Sequence, residues 1–166
     1  GRTPEQAVAA LERVHARRLR GRSARDALVA GRIDLVEAYA RGGRSTDAVD
    51  VLADVTPTLT ALAEDDPFAS GLRHRAAALL GTSRDPSQEL KLAGDEFAAA
   101  GDDVEQARTC LLHAEYLRRH HRPAAARDQA RRAVRMLDES GAGAWLARAR
   151  DEAECGERPH VERGAA

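Results

Sequence analysis

Apolar residues recur along this chain at helical spacing and nowhere in sustained alternation, a pattern that predicts amphipathic helices and no strands. The clearest stretch is 104–156. There Ala107, Cys110, Leu111, Ala114 and Leu117 fall on one stripe, and Ala126, Ala130, Ala133 and Leu137 on a second, with His120, His121, Arg122 and Pro123 between them. Two helices that each hide one stripe form a hairpin. A single hairpin leaves apolar surface uncovered, so neighbours of the same kind are expected beside it.

Start and stop residues divide the remaining chain in the same way. Thr3-Pro4-Glu5-Gln6 combines a capping hydroxyl, a first-turn proline and a capping-box glutamine, predicting a helix that runs to Arg20 and stops at Gly21. A second helix covers Ala27 to Arg41 with Ile33, Val36 and Tyr39 on its apolar side, ending at Gly42-Gly43. Ser45 is the expected N-cap of the next, whose stripe of Ala48, Leu52, Val55, Leu59 and Leu62 stays in phase across Pro57; one kinked helix fits better than two short ones. Asp66-Pro67 and Asp85-Pro86 open two more helices, bearing Phe68, Leu72, Ala76 and Leu79, then Leu90, Ala93, Gly94 and Phe97. Asp102 and Asp103 complement the dipole of the helix that starts near Val104, and Pro123 opens its partner. A last helix, Gly143 to Glu154, presents Trp145, Ala149 and Ala153. Helix starts repeat at roughly 36 to 40 residues per hairpin, the scale of helical solenoids. The expected fold is therefore all-α: about seven helices in tetratricopeptide-like hairpins forming a short superhelix over 1–156, with 157–166 as a linker.

Composition narrows the function classes. The 26 basic and 27 acidic residues balance, so no whole-chain field draws nucleic acid or an anionic membrane. Lys91 is the only lysine and alanine is abundant, which points to a high-GC bacterial genome before any arginine-specific function. Aromatic content of 3% suits helices packed closely through alanine. Cys110 and Cys155 match no metal or redox spacing, so a reducing cytoplasm is expected. No signal peptide and no apolar run of spanning length occur in the sequence. The opening Gly1-Arg2 suggests a piece of a longer protein.

Tyr39 and Leu117 occupy the large first-helix position of a tetratricopeptide pattern, Gly43 the turn, Ala48 and Ala126 the small residues opening second helices, and Ala133 a second small contact. The pair Asp66 to Gly101 fits that consensus poorly. Three segments carry a more specific likeness: DLVEAYARGGRSTDAV, EQARTCLLHAEYLRRHHRPAAAR and AVRMLDESGAGAWLARARDEAECGERP. Together, from Asp34 to Pro159, they resemble the region before the DNA-binding domain of large ATP-binding LuxR-type transcription regulators of actinobacteria. Trp145 to Glu152 is the most specific part. His113-Ala114 and Glu139-Ser140 depart from the family's usual residues.

That resemblance implies a multidomain regulator in which a nucleotide-switching ATPase precedes, and a helix-turn-helix reader follows, a helical sensor region of which this chain is part. The chain itself has no G-x-x-x-x-G-K-[ST] phosphate loop. A non-enzymatic module with no cofactor is thus expected, binding a protein partner or small effector and not contacting nucleic acid or membrane directly. If first helices line a concave groove, Glu37 and Arg41, with Ile33, and then Arg108, Leu111, Glu115, Arg118 and Arg119 face the partner. An ordinary solvated charged face is the competing reading of those residues. Self-association of the regulator is the alternative function.

Three other constellations have plain readings. Arg118, Arg119, His120, His121 and Arg122 offset a helix C-terminal dipole more simply than they contact phosphate. Cys110 and His113, one turn apart, supply two of the four ligands zinc needs, with no second pair. His113 and Glu115 point to different sides of a helix and make no acid–base pair. Trp145 is expected to plug the end of the superhelix.

Overall fold

In a computed structural model, residues 24–155 are described; the predicted helix Thr3 to Arg20 and the linker 157–166 lie outside them. Seven helices and no strand occur among the described residues, so the fold is all-α. We number them α1 (Ala24–Arg41), α2 (Ser45–Leu62), α3 (Pro67–Leu80), α4 (Pro86–Ala99), α5 (Asp103–Arg119), α6 (Pro123–Ser140) and α7 (Gly143–Cys155). The chain divides into two compact units, Gly1–Arg84 and Asp85–Ala166.

The helix starts follow from side-chain caps. Asp66 accepts from the Phe68 N–H at 2.9 Å, Asp85 from Gln88 at 3.0 Å and Asp102 from Glu105 at 3.0 Å, while Pro67, Pro86 and Pro123 occupy first-turn positions where no N–H is needed. At α6 the N-cap Arg122 makes no side-chain cap bond, and the same holds at α2. Ser45 does not cap it; Arg44 holds the N-cap position without a side-chain cap bond, and its Nε donates instead to Asp47 Oδ2 at 2.7 Å. The link between α1 and α2 is so short that Arg44 ends one turn and begins the next helix, moving Ser45 into the helix. α2 continues through Pro57, where the Thr56 hydroxyl donates to the Leu52 carbonyl at 2.7 Å, and Ala48, Val55 and Leu59 are buried on both sides of the proline. α1 already includes Ala24, three residues before the sequence-based start.

Five helix ends share one device. The N–H of Arg44, Thr82, Asp102, Arg122 and Ala142 each reaches back five positions, to Tyr39, Ala77, Phe97, Leu117 and Leu137 respectively, at 2.9–3.3 Å. This is the Schellman closure, which needs a left-handed residue just before the donor. Gly43, Gly81, Gly101 and Gly141 supply it with φ between 63° and 72°; at the α5–α6 turn it is His121, at φ 57°. From 81 to 141 these positions recur every 20 residues.

In the first unit α1 packs on α2, and α3 packs on both. Val29, Ala30, Ile33, Val36, Ala48, Val55, Leu59, Phe68, Ala69, Leu72 and Ala76 are its buried apolar residues. In the second, α4 packs on α5, α5 on α6 and α6 on α7, and α7 also touches α5. Its core joins Ala107, Cys110 and Leu111 of α5 to Ala133 and Leu137 of α6 and Ala149 of α7, with Val134, Met136, Trp145 and Leu146 packed around them. Small residues at these positions let the helix backbones approach closely, as the alanine-rich sequence predicts.

His121 is a β-carbon-bearing residue in a conformation that glycine adopts without strain. His121→Gly is expected to raise stability by about 1 kcal/mol, measurable as a higher urea midpoint at unchanged m-value.

Candidate functional site

The most organised cluster of polar side chains lies where α7 meets α5. It begins with the capping residue Asp102, which fixes the first turn of α5 and so places Glu105 and Arg108 on one side, one turn apart. Both are in the interior, Glu105 0% and Arg108 4% exposed. Arg108 Nη1 donates to both carboxylate oxygens of Glu105, at 2.9 and 3.1 Å. Thr109, in the next position, turns its hydroxyl to the Glu105 carbonyl at 2.9 Å. A charge removed from water is tolerated only when paired and hydrogen-bonded in this way.

From α7, Trp145, Arg148 and Glu152 recur at helical spacing and form one face. The Trp145 ring has the Arg108 guanidinium carbon 4.4 Å from its centroid and that of Arg148 at 5.1 Å. Arg148 Nε donates to Glu115 Oε1 at 2.7 Å, with Nη2 2.6 Å from the same oxygen. Arg118 Nε donates to Glu152 Oε1 at 2.7 Å. Arg108, Glu115 and Arg118 of α5 thus meet Trp145, Arg148 and Glu152 of α7 in order, so the two helices run parallel. Each guanidinium over the indole contributes about 0.5–2 kcal/mol, more as water is excluded.

The structure therefore assigns several of the expected groove residues to other work. Leu111 is fully buried in the apolar core. Arg108 is buried against Glu105 and Trp145, and Glu115 is half-buried under Arg148 of α7; Arg118 is exposed but paired with Glu152 of α7. Arg119 is exposed, its Nε donating to the Glu115 carbonyl at 3.2 Å. Glu37 and Arg41 belong to the first unit, where Glu37 is buried and lies 3.9 Å from the Arg41 guanidinium. Sequence reading missed the seam because it placed each residue on a helix face without knowing which helix covers that face. The available signal was the Trp-x-x-Arg-x-x-x-Glu spacing, which puts three side chains of complementary chemistry on one side of α7.

Two further features had no local signature. The Ser87 hydroxyl lies 2.8 Å from His113 Nε2, joining α4 to α5 across 26 positions. Burial holds the His113 pKa below its ordinary 6.5, and the Arg122 charge adds to this while Asp85 opposes it. Among the described residues no carboxylate orients the other ring nitrogen, so a serine–histidine–acid arrangement is not formed there. In the first unit, a shallow cleft of about 420 Å³ between α1 and α2 is lined by Leu28, Val29, Arg32, Asp54, Val55 and Thr58. Arg32 and Asp54 pair within it at 3.2 Å, and Leu28 is 64% exposed.

The remaining candidates take structural places. Cys110 is a buried thiol whose pKa burial pushes up, the Arg132 charge opposing. No group of three His, Cys, Asp or Glu side chains able to hold a metal occurs among the described residues. His120 stacks on Tyr116 at 4.0 Å and its Nδ1 donates to the Tyr116 carbonyl at 2.8 Å, while Arg122 is the N-cap of α6. No described helix is long and apolar enough to cross a membrane. Comparisons with protein-family profiles, curated proteins and solved structures return no match.

Two outcomes follow from this geometry. Arg108→Ala leaves the Glu105 carboxylate in the interior without its partner and is expected to cost about 3–5 kcal/mol in urea denaturation, whereas Glu105→Gln with Arg108→Met recovers most of that loss. The His113 shift fixes a sign: with its folded pKa below 6.5, the unfolded chain takes up the proton first, so stability falls as pH drops from about 6.5 toward the folded value. In His113→Gln that part of the pH dependence should disappear, as read from denaturation midpoints at pH 7 and pH 5.

Proposed function

We propose that the chain is a non-enzymatic helical-repeat regulatory module of the type that large ATP-binding LuxR-type regulators carry ahead of their DNA-binding domain, working in the reducing cytoplasm. One observation carries this reading: the residues of the most specific resemblance, Trp145, Arg148 and Glu152, form the face by which α7 registers on α5. A helix positioned by a set of directional charge contacts transmits a displacement of the hairpin beneath it to whatever chain follows. The 20-residue recurrence of left-handed turn positions supports a helical-hairpin repeat. On this reading an effector or partner protein binds the helical module, and the flanking ATPase and DNA-reading domains supply the switch and the output.

Sequencing the coding DNA beyond the Ala166 codon tests it. A helix-turn-helix segment there, with a nucleotide-binding motif upstream of Gly1, is the expected result. A stop codon directly after Ala166 with no such motif upstream overturns the reading.

Self-association is the second reading. It is favoured by three exposed large apolar side chains of the first unit: Leu28, Leu35 and Val49. Light scattering across a concentration series that shows only monomer, both in the parent chain and in Leu28→Glu, would count against it.

A further inference from the structure

The seam between α5 and α7 has an unusual balance. α7 places one fully buried apolar residue, Ala149, in the shared core, and reaches α5 itself through Trp145, Arg148 and Glu152. Charge contacts of this kind define register more sharply than apolar area does. Along α5 the order is positive, negative, positive at Arg108, Glu115 and Arg118; along α7 it is aromatic, positive, negative. A helix one turn out of place would set Arg148 against Arg118 in one direction, or Arg148 against Arg108 and Glu152 against Glu115 in the other. Among the described helices only α7 carries the matching order, so the α5 face selects for that helix and against others.

The connection to α6 permits α7 to leave. It consists of Gly141-Ala142, with Gly143 the first residue of α7, and Gly141 sits at φ 70° with open space where a Cβ would be. Rotation of Gly141 into the right-handed region makes α6 and α7 one continuous helix. That carries the Trp145, Arg148 and Glu152 face away from its own α5 and exposes the charged α5 side chains.

From these observations we infer that the α5 face bearing Arg108, Glu115 and Arg118 is a helix-recognition surface whose alternative occupant is α7 of a second copy of this chain. Two chains that trade α7 form a closed, reciprocal dimer in which each ion pair and ring contact of the seam, once opened within a chain, is remade between chains. The exchange uses the second unit alone. It stands independently of any role in transcription and of the exposed apolar residues of the first unit.

Complementary charge reversals in the full chain test this. Glu115→Arg places two cations together within a chain, and Arg148→Glu places two anions together, so each variant alone has a weakened seam. When the two are mixed after brief exposure to mild denaturant, exchange matches Arg148 of one chain with Glu115 of the other, and the two substituted residues likewise. Trp145 is the only tryptophan of the 17.9 kDa chain, so its emission reports the seam directly. The expected result is a species of twice the chain mass in the mixture by light scattering, with parent-like Trp145 emission. The double variant in one chain is expected to regain that emission as a monomer. A mixture that stays monomeric while the double variant recovers shows a seam that does not exchange and overturns the proposal. A double variant that fails to recover overturns it as well, because the charge order then does not set recognition. Gly141→Ala gives a check that leaves the seam intact: by disfavouring the left-handed turn it should raise the dimer fraction severalfold at fixed concentration, and an unchanged or lower fraction contradicts the exchange.

Discussion

The guanidinium of Arg108 is the constraint on which the second unit depends. It is almost wholly out of water, it gives two hydrogen bonds to a carboxylate that is itself fully buried, and it lies against the ring of Trp145. An isolated ion in such a place is prohibitively costly, so Glu105 and Arg108 must be buried together or not at all. Their alignment depends on the start of α5, because only a helix begun at Asp102 sets residues 105 and 108 one turn apart on the same side. The ring that covers them comes from α7. The start of one helix and the placement of another are thereby coupled through a single side chain.

Why a buried ion pair serves here, where an apolar pair would give equal or greater stability, follows from what the chain lacks. With 3% aromatic residues and cores built on alanine, its helix faces are nearly featureless to one another. α6, for instance, buries Ala126, Ala130, Ala133 and Leu137. Alanine stripes permit close approach, yet they slide past one another with little penalty. Guanidinium–carboxylate and guanidinium–indole contacts are directional and fail when displaced by a turn, so arginine supplies the register that alanine cannot. The arginine richness first attributable to genome composition thus carries structural work at Arg108, Arg118 and Arg148.

The parts of this architecture visible in the sequence are those set by local chemistry. Asp66, Asp85 and Asp102 declare helix starts because each needs only its own next turn, and Gly81, Gly101 and Gly141 declare helix ends because each needs only its own φ. The stripes of α5 and α6 were legible for the same reason, and the seven helices follow. Ser45 misled because the choice between it and Arg44 as N-cap depends on how soon the preceding turn closes. The groove residues misled at a longer range: the periodicity that put Leu111 and Arg108 on α5 was sound, but whether a face meets solvent or another helix is decided by a segment some 35 positions away. Charge then reinforced the error, since Arg108 reads as exposed until Glu105 is seen as its partner. The Ser87–His113 contact, between two helices, had no sequence signal.

The two turns that flank α6 show where the second unit concentrates its rigidity. At the α5–α6 turn the left-handed position is held by His121, which is strained there unless the packing on either side of it over-determines the conformation. The buried stripes of both helices flank it, with Leu117 and Ala114 on one side and Ala126 and Ala130 on the other, and favour the closed hairpin. At the α6–α7 turn the same position is Gly141, followed by Ala142 and a second glycine, and no strain opposes either the bent or the straight form. A strained turn in a well-packed hairpin and an unstrained one before the next helix divide the unit into a fixed part and an adjustable part. Because α7 is held across the adjustable turn by ion pairs that are only partly shielded from solvent, its attachment responds to ionic strength and to competing charge, whereas the alanine-packed hairpin beneath it does not.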